Sequence, residues 1–143
     1  MEFGGLAAGY LSASSLLLMD AANWTFTHKP YDIRERLFNF ACAITRIAQF
    51  LNTQGPIGVA LSAQVLRSGT SAGANYEEAD DASSLRDRRA KRQIALRELK
   101  ETSFRLRVLR EAGILTAAHD PILRECAELV KIMATLLRRS RPR

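Results

Sequence analysis

Apolar residues recur at helical spacing along most of the chain. Ile33, Leu37, Phe40, Ala41, Ile44, Ile47, Ala48 and Leu51 fall at i, i+3, i+4 and i+7 intervals, which marks one buried face of an amphipathic helix. Asn52-Thr53-Gln54-Gly55-Pro56 reads as the break that ends it, because Gly and Pro interrupt helices. The pattern predicts a second helix from about Ile57 to Asp81. Ser83 or Ser84 can cap a third, which ends at Gly113, a residue suited to the left-handed position after a helix. Asp120 followed by Pro121 reads as an N-cap and the first turn of a fourth, which carries Ile122, Cys126, Leu129, Val130, Met133, Leu136 and Leu137. No segment alternates with the period of a strand. Four helices of roughly 20–30 residues with short connections predict an all-α, antiparallel up-down four-helix bundle over residues 30–143.

Residues 1–29 do not share this pattern. Gly4 to Met19 is small and apolar but shorter than the roughly 20 residues of a membrane span. Glu2 stands where a signal peptide has its basic region. The stretch reads as a poorly ordered N-terminal extension, or as an upstream start codon with Met19 the true start. Two cysteines, Cys42 and Cys126, make no disulfide framework and point to a reducing, cytoplasmic compartment. Both fall on apolar helix faces and read as small core residues.

Charge changes the picture more than composition does. The chain of 143 residues has a net charge of +6. Residues 85–112 hold ten bases and four acids, so the whole excess lies in the third helix. Elsewhere, the tail bases Arg138, Arg139, Arg141 and Arg143 are offset in number by Glu77, Glu78, Asp80 and Asp81. Arg86, Arg89, Arg97, Lys100 and Arg107 fall within about 80° of one another on the helix, nearly opposite its core face of Ala95, Leu99, Thr102, Leu106 and Leu109. Such a ridge can track phosphates, since cations that neutralise a nucleic-acid backbone release counterions. A solvated face tempered by the pairs Asp87–Lys91 and Arg97–Glu101 accounts for the same spacing. A second apolar stripe of Ala90, Ile94, Phe104 and Val108 also lies away from the core face, and it suggests a contact between subunits.

The second helix combines small and polar residues. Gly69 and Gly73 each cost about 1 kcal/mol relative to Ala inside a helix, so a neighbouring backbone is expected to pack closely against them. Gln64, Arg67, Ser71, Asn75 and Glu78 form a polar line on one side, read as a structural network or a groove lining. Arg67 and Glu78 are too far apart to pair, so their partners must come from other helices or another subunit.

Catalytic and metal chemistry find little support. Gly69-Thr70-Ser71-Ala72-Gly73 matches G-x-S-x-G, but that motif needs a preceding strand to lift its serine, and here the preceding residues read as helix. Three residues before His28 and His119 stand Thr25 and Thr116, so the Glu-x-x-His pattern of di-iron bundles is missing. No catalytic residue, metal or cofactor is assigned.

The run Leu66-Arg67-Ser68-Gly69-Thr70-Ser71-Ala72-Gly73-Ala74-Asn75-Tyr76-Glu77-Glu78-Ala79 resembles the signature of the bacterial four-helix-bundle proteins encoded by intervening sequences of 23S ribosomal RNA genes. Gln93 to Thr102 resembles the same family's third helix. The resemblance covers roughly residues 31–140. It implies a bundle that assembles as a ring-like homopentamer. It also implies a link to the accessory protein of diversity-generating retroelements, which works with a reverse transcriptase and nucleic acid. No catalytic residues carry over from the family. The sequence departs from the family pattern at Leu85 to Arg92 and at Phe104-Arg105, where relatives often carry aromatic residues. The expectation is a non-enzymatic, cytoplasmic, oligomeric bundle that binds RNA, DNA or a nucleoprotein partner through Arg86, Arg89, Arg97, Lys100 and Arg107. The alternative is a structural or protein-interaction scaffold without direct nucleic-acid binding, and neither reading involves a membrane.

Overall fold

The computed structural model describes residues 32–141. The expectations for residues 1–29, for Arg143 and for the sequence before Asp32 therefore lie outside the described residues. Among the described residues four helices follow one another: α1 (Ile33–Leu51), α2 (Gly55–Asp80), α3 (Leu85–Glu111) and α4 (Asp120–Arg139). A short 3-10 turn, Ala117–His119, precedes α4.

Each junction has a local cause. Asp32 caps α1 by accepting the Glu35 amide proton, and Ser84 caps α3 by accepting that of Asp87. Gly55 and Pro56 begin α2 rather than closing α1, with Pro56 where a missing N–H costs nothing. Gly113, at φ +76°, closes α3: its amide reaches Arg110 O and the Ile114 amide reaches Leu109 O. Asp120 opens α4 but is not its side-chain cap. Thr116 and His119 form a reciprocal capping box one turn earlier, and the Asp120 carboxylate is taken by Arg110 Nε at 2.8 Å.

Cross-helix contacts fix the antiparallel order. Arg34 at the start of α1 pairs with Glu77 and Asp80 at the end of α2. Ser68 and Thr102 meet mid-bundle, and Arg110 at the end of α3 meets Asp120 at the start of α4. The core joins all four helices through fully buried Phe40, Ile44, Val65, Leu99, Leu106, Leu129 and Met133. Burying each such side chain contributes about 1.5–3 kcal/mol. Cys126 is fully buried, its Sγ 3.5 Å from Leu99 O, and burial pushes its thiol up to about 12. Cys42 is only half-buried.

The two helix glycines differ in role. A Cβ on Gly69 would lie 2.6 Å from Ile44 Cγ2, so Gly69 is where α1 and α2 approach closely. A Cβ on Gly73 would meet nothing nearer than 3.7 Å, ordinary contact with Leu37, so the expected close approach at Gly73 is corrected. Gly58, not singled out by pattern, also has no room for a Cβ because the Leu51 carbonyl oxygen occupies that space.

The α1–α4 seam carries a buried ion pair. Glu125 is 2% exposed, and Arg36 reaches it twice, Nε to Oε1 at 2.9 Å and Nη2 to Oε2 at 2.6 Å. Arg36 Nη2 also contacts Glu128 Oε2 at 2.7 Å. These bonds raise the Arg36 guanidinium above its ordinary value.

Candidate nucleic-acid interface

The cations of α3 divide by direction. Those that turn toward α2 are engaged. Lys91 Nζ contacts Glu78 Oε2 at 2.6 Å, and Arg92 lies 3.8 Å from Asp80 with its guanidinium over the Tyr76 ring. Arg88 Nε donates to Ala79 O. Arg105 is engaged within α3, by Glu101 at 3.1 Å. Arg110, at the far end, is held by Asp120, which it keeps below the usual carboxylate range.

The outward cations are different. Arg86, Arg97, Lys100 and Arg107 are exposed and form no ion pair among the described residues. The two i, i+4 pairs expected to temper the ridge do not form. Lys91 turns to Glu78 instead of Asp87, and Glu101 is shared by Arg67 and Arg105 instead of Arg97. Arg89 is corrected from an outward ridge member to an anchored one. It is half-buried, and its Nη1 donates to Leu137 O at 3.0 Å at the end of α4.

The polar line on α2 faces α3. Arg67 lies 3.8 Å from Glu98 and 3.6 Å from Glu101, and Glu78 takes Lys91. Asn75 donates to Ser71 O within α2, and Gln64 lines an apolar groove with Leu61, Phe104 and Val108. The line is thus a seam between helices with an exposed edge. Ser71 lies inside α2, and His119 caps Thr116 at the foot of α4 and packs on Phe50 at 5.0 Å, so neither has the setting of a nucleophile or its base.

The outer apolar stripe is exposed as well. Phe104 is 65% and Val108 44% exposed, Ala90 is exposed and Ile94 half-buried. Phe104 and Val108 form a ridge between two grooves, one toward α2 and one bordered by Arg110 and Leu123.

The bundle and its α2 signature match a known family model, described as 23S rRNA-intervening sequence protein, over residues 29–135. The chain belongs to that family. A solved relative is similar in sequence and in fold: the crystal structure of a protein with unknown function from the S23 ribosomal protein family of Bacteroides thetaiotaomicron. It is 33% identical and superposes with a TM-score of 0.70, covering 74% of this chain and 98% of that one. No curated protein matches. Neither family description names an enzymatic activity. No helix among the described residues is long and apolar enough to cross a membrane.

One feature of this intervening-sequence family member was missed by pattern reading. Glu125 sits on the apolar face of α4, between Ile122, Cys126 and Leu129. An acid there demands a cation from a facing helix, and that demand was the available signal for Arg36.

Proposed function

We propose that this protein is a non-enzymatic RNA-binding bundle that holds the RNA backbone along the outer face of α3. The observation that carries the reading is the division of charge on that helix: Lys91 and Arg92 meet α2 acids and Arg105 meets Glu101 of α3 itself, while Arg86, Arg97, Lys100 and Arg107 are exposed and unneutralised among the described residues. Exposed, unpaired guanidinium groups are suited to phosphate oxygens, and their contribution falls as salt rises. A nucleoprotein partner such as a reverse transcriptase, which the family resemblance implies, would meet the same face through the RNA it carries. Changing Arg86, Arg97, Lys100 and Arg107 together to Gln is expected to lower RNA retention at low salt. Retention equal to that of the unaltered protein would overturn the reading and leave an interaction scaffold in its place.

A second reading is favoured by Phe104 and Val108. Exposed apolar ridges of this kind mark surfaces that other proteins cover, and we propose self-association through this stripe, with a homopentamer as the form the resemblance implies. A ring would repeat the α3 cations around one particle and make the surface multivalent. Phe104→Asp is expected to reduce the mass in solution by light scattering. An unchanged mass would remove the stripe from the assembly.

A further inference from the structure

A second concentration of positive charge lies off the outer face of α3. It lies in an open groove of about 660 Å³ where the first half of α3 runs beside the end of α4. Arg89 comes from α3, while Lys131, Arg138 and Arg141 come from α4 and the residues just after it. Among the described residues, no carboxylate lines the groove. Its remaining lining is Gln93, Leu96, Ala134, Thr135 and Leu137.

We propose that this groove seats consecutive phosphates of a single RNA strand and reads the backbone alone. The inference rests on the RNA reading above and deepens it by assigning the strand's seat. Four cations drawn from α3 and the end of α4 converge with no acid among the described lining residues, an arrangement that repels itself until an anion enters. Two of the four are already held in place. Arg89 Nη1 is fixed by Leu137 O at 3.0 Å, which leaves most of its five donors to point elsewhere. Arg138 Nη2 is held by Thr135 Oγ1 at 3.1 Å. Guanidinium groups fixed in this way lose less freedom when they bind a phosphate.

The dipole at the end of α4 favours cations in its last turn and accounts for Arg138 on its own. It does not account for Lys131, two turns earlier, or for Arg89 on the other helix. The volume falls within the roughly 300–1,000 Å³ of sites that enclose small ligands. No aromatic side chain among the described residues lines the groove, so bases have no ring on which to stack. Recognition is therefore expected to be independent of sequence.

The test uses two variants of the full chain and short single-stranded oligouridylate and oligocytidylate as probes, with affinity followed against salt. The groove variant carries Lys131→Gln, Arg138→Gln and Arg141→Gln. The face variant carries the four α3 changes to Gln already described. Melting curves check that both stay folded. The groove variant is expected to weaken both probes alike and to lower the salt slope by about 2, at roughly 0.7 per lost single-strand contact. A groove variant with unaltered affinity and slope, beside a face variant that has lost binding, overturns the groove and leaves the RNA reading standing. Loss in the groove variant with a strong preference for one probe overturns backbone-only seating. Absence of RNA binding by the unaltered protein overturns both the reading and the groove.

Discussion

Arginine does two different jobs at the α1–α4 seam and on the outer side of α3. At the seam, Arg36 is almost covered and both of its working nitrogens end on Glu125 and Glu128. Its charge is consumed within the fold. On the outer side of α3, Arg86, Arg97 and Arg107 stand in water with no acid among the described residues to hold them. Their charge is available to something else. The same side chain thus supports stability in one place and offers recognition in the other, and the deciding variable is whether a carboxylate shares its low-dielectric surroundings.

The sharpest way to break this comparison is at the seam. Arg36→Ala strands the buried Glu125 carboxylate, and the expected loss is about 3–5 kcal/mol in a denaturant titration. Replacing both partners, Arg36→Met with Glu125→Leu, is expected to recover most of that loss, because similar apolar volumes fill the seam without a buried charge. If the single change costs less than the double, the pair is not acting as described.

The glycines supply an intermediate effect of either sign. Gly69→Ala drives a methyl group against Ile44, which is fully buried and cannot retreat, and about 1–3 kcal/mol of stability is expected to be lost. Gly73→Ala meets only ordinary contact and gains helix propensity, so it is expected to stabilise by up to about 1 kcal/mol. Melting temperatures that move in the same direction for both variants would contradict the assigned geometry.

On the outer face, Arg97→Gln and Arg107→Gln are expected to leave folding stability within about 0.5 kcal/mol of the unaltered protein, as for surface changes generally. A larger loss in a thermal melt would show that these side chains belong to the fold and not to a partner. The smallest effect is expected at the α3–α4 turn. Arg110 holds Asp120 below the usual carboxylate range, so its stabilisation is present at neutral pH and is lost as pH falls through the depressed value. The melting temperatures of the unaltered protein and Asp120→Asn are therefore expected to differ most near neutrality and to converge in strong acid.

The helices themselves were legible from apolar spacing, and so were the caps at Ser84 and Gly113, because these depend on neighbours within a few residues. The roles of charged residues were less legible. Counting bases against acids offset the C-terminal arginines with Glu77, Glu78, Asp80 and Asp81. In the fold the first three of these acids serve Arg34, Lys91 and Arg92 instead. The positive charge of Arg138 and Arg141 is left beside Arg89, and the basic groove follows. Arg89 itself looked like a ridge residue on a helical projection, because a projection of one helix does not show that the end of α4 passes beside it.

The order of four amphipathic helices, their approximate ends and the surplus charge on the third are properties of the sequence, since each is set by periodicity or by local hydrogen bonding. Which glycine is crowded, which acid is buried at Glu125 and which arginines remain without partners were decided by the tertiary structure. Those outcomes depend on what a facing helix presents within a few ångströms, and residues far apart in the chain supply it.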